Sequence, residues 1–159
     1  MNHLPQTIQV QINGQVKTLM VRQAELFLDT LRNAGLTGAK PGCKNGDCGS
    51  CTILVDHIPI QACQLFSMEV MDKNIMTIEG LIDQTVQKAF EEKWALQCGY
   101  CTPGYILNAY ALLQHHPNAD EETMKQWLDS NICRCTGYQE IIDAVTLLID
   151  RNEYHEHHS

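Results

Sequence analysis

Eight cysteines divide into two sets of four along a chain of 159 residues, and their spacing restricts the fold more than any other feature. The first set is crowded into GCKNGDCGSC, from Gly42 to Cys51, where three cysteines and three glycines share ten residues. Cys43, Cys48 and Cys51 follow C-x4-C-x2-C, with Cys63 available as a fourth. Cys98 and Cys101 follow C-x2-C, and Cys133 and Cys135 follow C-x-C. A loop that turns three thiols toward one point must wrap tightly. Gly42, Gly46 and Gly49 permit this, because glycine reaches positive φ without a Cβ clash and lets backbone N–H groups point at acceptors inside the loop.

Two groups of four suggest two metal centres. An iron–sulfur cluster takes four thiolates, two on each iron of a two-iron cage, and C-x4-C-x2-C is the plant-type 2Fe-2S spacing. Zinc is the rival, since four-cysteine sites also use C-x2-C pairs and add folding energy directly. Zinc ligands usually come as two knuckles, however, and the glycine-interleaved first set lacks that form. Spacing alone leaves the second set open between an iron–sulfur cluster, zinc and a thioredoxin-type dithiol. A thioredoxin-like pair should follow a strand in a βαβ unit. Cys98 and Cys133 each follow a helical segment instead, which fits either a cage or a closed zinc site where helix ends meet.

No run approaches the roughly 18 apolar residues of a membrane span, and MNHLPQTIQV has neither the basic nor the apolar region of a signal peptide. The expected compartment is therefore the cytoplasm, where structural disulfides are rare and thiols serve other ends. A formal net charge of −8 and a pI of about 5.2 argue against a nucleic-acid partner, whose phosphates demand clustered Lys and Arg. Residues 1–79 carry −1 and residues 80–159 carry −7, an excess that reads as solvated helix surface. His155, His157 and His158 invite a metal-binding reading of the terminal EYHEHHS, but such tracts are usually frayed and solvated.

In residues 1–79, TIQVQIN alternates apolar and polar positions, turns at Asn13-Gly14 and returns through QVKTLMV, the pattern of a hairpin. Leu26, Leu28, Leu31 and Ala34 recur at near-helical spacing, with Gly35 placed to end the helix. TILVD and IPIQA read as a second hairpin through Asp56-His57, and NIMTIEG as a further strand. From Leu81 the pattern changes: TVQKAFEEKWA, PGYILNAYALLQHH, EETMKQWLDS and YQEIIDAVTLLIDR all show helical periodicity. Thr102 precedes Pro103, which suits the first helical position; Asp120 is placed as an N-cap with Thr123 three residues on, and Pro117 breaks the intervening chain. With no repeat and no low-complexity linker, the junction near Gly80 is expected to be short and packed.

GCKNGDCGSCTILVD, QCGYCTPGYI and NICRCTGYQEIIDAV resemble the three signatures of the small iron–sulfur subunit of the molybdenum hydroxylases, the group containing xanthine dehydrogenase, aldehyde oxidoreductase and aerobic carbon monoxide dehydrogenase. The likeness runs through about Ile149 and covers the order and spacing of all eight cysteines, including Cys63 only twelve residues after Cys51. It implies an α+β chain. An N-terminal β-grasp, ferredoxin-like domain over residues 1–79 would hold one 2Fe-2S cluster on Cys43, Cys48, Cys51 and Cys63. A C-terminal four-helix-bundle domain over residues 80–159 would hold a second on Cys98, Cys101, Cys133 and Cys135.

The resemblance further implies that Gln97 and Cys135 approach the pterin of molybdopterin, in its cytosine dinucleotide form, on a large partner subunit. Electrons would leave through both clusters to FAD on a medium subunit, in a hetero-oligomer built as a dimer of trimers. No side chain of this chain is then expected to make or break substrate bonds. Glu140 is read as a first-turn residue favoured by the helix dipole, and Arg134 as a donor near the cluster or a surface ion-pair partner. Tyr100, Tyr105, Trp94 and Trp127 are read as packing or subunit-contact residues. The expected substrate of the whole enzyme is xanthine or another purine or N-heterocycle, with aldehyde or carbon monoxide oxidation as the alternative. A zinc-stabilised interaction module is the alternative of a different class.

Overall fold

Alternation of apolar and polar residues builds the first hairpin of the protein, which is seen here in a computed structural model describing residues 4–151; the terminal histidines lie outside the described residues. In β1 (Gln6–Ile12), Ile8, Val10 and Ile12 are buried while Thr7, Gln9 and Gln11 face solvent. β2 (Gln15–Val21) pairs with it antiparallel, from Gln6–Val21 to Ile12–Gln15, across Asn13 and Gly14, both at positive φ. α1 (Phe27–Asn33) adds Phe27, Leu28 and Leu31 to the same core, and Gly35 takes φ +86° just beyond its end.

β3 (Thr52–Val55) and β4 (Ile58–Gln61) form the second hairpin, and Asp56 and His57 take φ values of +49° and +71°, as the tight primed turn between them requires. The strand expected over NIMTIEG is shorter than its pattern. Only β5 (Asn74–Met76) pairs, parallel to β1 and antiparallel to β3, and Ile78–Gly80 closes into a 3-10 turn. The sheet is thus mixed, in the order β2-β1-β5-β3-β4. Two more 3-10 turns, Ala62–Gln64 and Ser67–Val70, lead from β4 to β5.

Four helices follow: α2 (Thr85–Glu92), α3 (Thr102–His115), α4 (Glu121–Leu128) and α5 (Gln139–Arg151). α3 is buried almost all round from Gly104 to Leu113, because it packs on β3 and β4 on one side and on α2 and α4 on others. Asp120 caps α4 as expected, accepting the Thr123 N–H at 2.8 Å. Tyr105 is a core residue, Tyr100 is exposed, and Trp127 is half-buried against the helical core. Trp94 is 82 % exposed and takes φ +55° just after α2, so it is not a core residue.

The apolar interior has two parts. One joins the sheet to α1; the other joins the four later helices and takes in Leu54 of β3. The connection between them is tight: Asn13 and Thr77 exchange two hydrogen bonds of 2.9 Å, and a Cβ at Gly80 would lie 2.2 Å from Asn13 Oδ1. Among the described helices, none is long and apolar enough to cross a membrane.

Candidate metal centres

All eight cysteines are free thiols, and in each set the side chains interact chiefly in two pairs, Cys43 with Cys48 and Cys51 with Cys63, then Cys98 with Cys135 and Cys101 with Cys133. In the first set, left-handed φ at Lys44, Gly46 and Gly49 bends the loop round Cys43, whose Sγ receives the N–H groups of Asn45 at 3.5 Å and Cys48 at 3.4 Å. Cys48 Sγ lies 2.7 Å from where a Gly42 Cβ would stand, so only glycine allows that approach. Cys51 enters β3 and Cys63 sits in the turn after β4, which brings the two together across the hairpin ends, with Ala62 N–H on the Cys51 carbonyl at 3.1 Å. Gln64 Nε2 lies 3.6 Å from Cys63 Sγ as a further donor.

In the second set, Cys98 and Cys101 precede α3, with Cys101 as its N-cap residue, while Cys133 and Cys135 lie between α4 and α5. The exposed pair, Cys98 and Cys135, has its sulfurs 3.6 Å apart. The inner pair is Cys101 and Cys133, whose thiols interact and of which Cys133 is buried. Gly99 and Gly137 take φ +78° and +68°, turning the chain back toward the sulfurs on each side.

Donors and burial compete at these thiols. Burial pushes Cys43 up, but N–H donation from Asn45, Cys48 and Asp47 outweighs it and brings the thiol down to about 7. Burial pushes Cys51 up to about 12, with the Cys63 side chain adding to it. Cys101 is likewise pushed up to about 12, by burial first and then by Cys133. Burial also acts on Cys133, yet the Thr136 hydroxyl at 3.1 Å and amide at 3.5 Å more than offset it and lower the thiol. Cys135 is raised, chiefly by the neighbouring Cys98.

Two pairs per set, one for each iron, is what a two-iron cage asks of its ligands, and N–H and O–H donors aimed at the sulfurs suit a group that carries negative charge there. A zinc ion asks instead for ligands converging on one point. Gln97 is exposed beside the exposed Cys98, Arg134 is exposed between Cys133 and Cys135, and Glu140 lies in the first turn of α5 with one carboxylate oxygen buried and without a hydrogen bond.

Sequence reasoning missed the clamp that joins the two sets. Asn131, 2 % exposed, donates from Nδ2 to the Gly49 carbonyl at 2.9 Å. Its Oδ1 accepts from Asn108 Nδ2 at 3.0 Å and Ser130 Oγ at 2.9 Å. The next residue, Ile132, donates its N–H to the Cys48 carbonyl at 3.0 Å. A Cβ on Gly104 would lie 2.3 Å from the Gly49 carbonyl oxygen, so α3 and the first cysteine loop touch backbone to backbone. The available signals were a glycine in the first turn of a long helix and an amide side chain two residues before C-x-C.

Known proteins resemble this chain in sequence and fold. Residues 10–75 match the family model of a 2Fe-2S iron-sulfur cluster binding domain, and residues 77–146 match that of a 2Fe-2S binding domain. The nicotine 6-hydroxylase small subunit of Paenarthrobacter nicotinovorans is 42% identical over 87% of this chain and 86% of its own length. The nicotinate dehydrogenase small FeS subunit of Eubacterium barkeri is 37% identical over 91% of this chain and 96% of its own. Among solved structures, quinoline 2-oxidoreductase from Pseudomonas putida 86 superimposes with a TM-score of 0.88 at 36% identity, covering 94% of this chain and 97% of that one.

Proposed function

The chain belongs to the small 2Fe-2S subunits of the molybdenum hydroxylases, electron-transfer components of oxidoreductases, and from that membership we propose that it relays single electrons through two clusters between a large molybdopterin-bearing subunit and a medium FAD-bearing one. The observation that carries the proposal is the resolution of each cysteine set into two pairs. Cys43, Cys48, Cys51 and Cys63 would hold the cluster of a β-grasp domain over residues 1–79. Cys98, Cys101, Cys133 and Cys135 would hold that of a four-helix-bundle domain over residues 80–159. When bound, each cluster supplies reversible one-electron chemistry.

The chain's own residues position and insulate. Cys51, Cys63 and Cys133 are buried, which keeps water from the inner sulfurs, while Cys98 and Cys135 are exposed on the side where a partner surface can reach them. In this reading Gln97 and Cys135 approach the pterin of molybdopterin cytosine dinucleotide on the large subunit. The Ile132–Cys48 hydrogen bond leaves a backbone path with a single hydrogen bond between a ligand of one set and the residue preceding a ligand of the other. The substrate class we favour is an N-heterocycle, supported by relatives named for nicotine, nicotinate and quinoline. A purine such as xanthine falls in that class; aldehyde or carbon monoxide oxidation is the alternative. We read the complex as cytoplasmic.

The test is metal analysis and electron paramagnetic resonance on anaerobically purified chain. About four irons and four acid-labile sulfides per chain, with two rhombic signals after dithionite reduction, are expected of two 2Fe-2S clusters. Zinc with little iron would instead make the chain a zinc-stabilised module. Turnover by the assembled enzyme on N-heterocycles, aldehydes and carbon monoxide then sorts the substrate classes.

A further inference from the structure

Thr136 follows the C-x-C pair directly, and its hydroxyl is held in one orientation. Oγ1 accepts the Tyr138 N–H at 3.2 Å and lies 3.1 Å from Cys133 Sγ. The oxygen accepts the Tyr138 N–H through one lone pair, which leaves its hydrogen free to point at the sulfur, and a thiolate there can only accept it. The backbone enforces this. Gly137 and Tyr138 take successive left-handed φ values of +68° and +75°, which returns the Tyr138 N–H to the threonine oxygen, although a Cβ disfavours that conformation at Tyr138.

The donation reaches a buried sulfur. Cys133 is 5 % exposed, and a hydrogen bond to a charged acceptor gains strength where water is excluded. The first set draws its donors elsewhere, from the Asn45 and Cys48 amides and the Gln64 side chain, so loss of this hydroxyl would touch one centre alone.

We propose that Thr136 is a potential-setting residue of the cluster held by Cys98, Cys101, Cys133 and Cys135: its hydroxyl, donating to Cys133, favours the reduced form of that cluster. The inference rests on the two-cluster reading above. Reduction adds one electron, delivered by the partner's molybdenum centre or by dithionite in the test, and no proton. The added charge spreads onto the sulfurs, so a donor fixed on one of them stabilises the reduced state more than the oxidised.

The experiment is a redox titration of the assembled heteromeric enzyme followed by electron paramagnetic resonance, in wild type, Thr136→Val and Thr136→Ser. At the wild-type midpoint, Thr136→Val should lower the reduced-to-oxidised ratio of the second cluster threefold to tenfold, about 30–60 mV for a one-electron couple. Thr136→Ser should stay near wild type, and the first cluster should not move in either. A second-cluster midpoint unchanged in a fully loaded Thr136→Val enzyme, or equal shifts of both signals, overturns the assignment. Should the valine variant assemble without that cluster, electron–nuclear double resonance on wild type in H2O and D2O decides. A strongly coupled exchangeable proton present in wild type and Thr136→Ser but lost in Thr136→Ala, which keeps the Thr136 N–H on Cys133, supports the hydroxyl donor, and identical couplings in all three remove it. A wild-type enzyme with no second signal defeats the two-cluster reading itself.

Discussion

Gly104→Ala puts two physical effects in opposition, and the structure says which wins. Gly104 lies in the first turn of α3, where alanine is preferred over glycine by up to about 1 kcal/mol, so helix propensity alone expects a more stable protein. The new Cβ, however, would stand 2.3 Å from the Gly49 carbonyl oxygen and 2.9 Å from Asn131 Nδ2. An ordinary carbon–oxygen contact is about 1 Å longer. The carbonyl cannot easily withdraw, because Thr52 N, Thr52 Oγ1 and Asn131 Nδ2 all donate to it, at 3.0, 2.7 and 2.9 Å. Overpacking costs about 1–3 kcal/mol, and a backbone atom on the receiving side places this case near the upper end. The net loss is then ~2 kcal/mol, a fall of roughly 4–8 °C in melting temperature for a chain of this length. Cluster-loaded variants would be melted at one scan rate, with visible absorbance and circular dichroism followed together. Gly99→Ala is the control: its Cβ meets nothing within 4 Å, and only the φ of +78° opposes it. A Gly104→Ala protein that melts at or above wild type would refute the backbone-to-backbone contact between α3 and the first cysteine loop.

Asn131→Ala removes the amide that joins the same two segments. Its partners keep other bonds, since Asn108 Nδ2 also reaches Ser130 Oγ and Gly49 O keeps Thr52, so the loss should be about 0.5–1.5 kcal/mol for each hydrogen bond removed rather than the roughly 1–3 kcal/mol of each stranded buried group, checked by the same melts. Cys135→Ser should disturb only the second resonance signal and Cys48→Ser only the first; one signal lost in both variants would mean that the ligands are wrongly divided. In the cluster-free chain, the Cys43 thiol lowered to about 7 is deprotonated above that pH, so its alkylation should fall as pH drops through 7. Cys51 and Cys101, both pushed up to about 12, should stay unreactive across the same range in a mass-spectrometric footprint, and equal labelling of all three would contradict the donor arrangement round Cys43.

What could be read from the sequence was local. Caps, hairpin turns and helix periodicity act over a few residues, which is why Asp120, the Asn13-Gly14 turn and the four later helices lie where their patterns put them. The cysteine spacing is local in the same way: three thiols in one short loop leave few cages for a reading to choose from, and the ligand assignment built on it is the proposal above. The parallel pairing of β1 with β5 was not legible, because nothing in either strand's alternation names its neighbour. Trp94 loses the core half of its reading for a different reason, since helical spacing cannot foresee a chain that turns left-handed just after α2 and leaves the ring in solvent, and the subunit-contact half is untouched by that exposure.

The residues that join the two cysteine sets were the hardest to find, and the reason is physical. Asn131 and Gly49 are 82 positions apart, and each looks ordinary in its own stretch: an amide after a helix, a glycine in a glycine-rich loop. Their meaning appears only where α3 brings Gly104 against Gly49 and the chain beyond α4 returns to the Cys48 carbonyl. That convergence holds the two sets together through hydrogen bonds and a glycine contact, beside the packing of α3 on β3 that brings Leu54 into the helical core. Electron transfer between two centres depends on their separation more than on the stability of either half. A mutation at the clamp should therefore slow the relay between clusters even where both remain loaded, whereas trimming Val86 or Ile8 in a core should cost stability and leave the intercluster rate of the folded fraction unchanged.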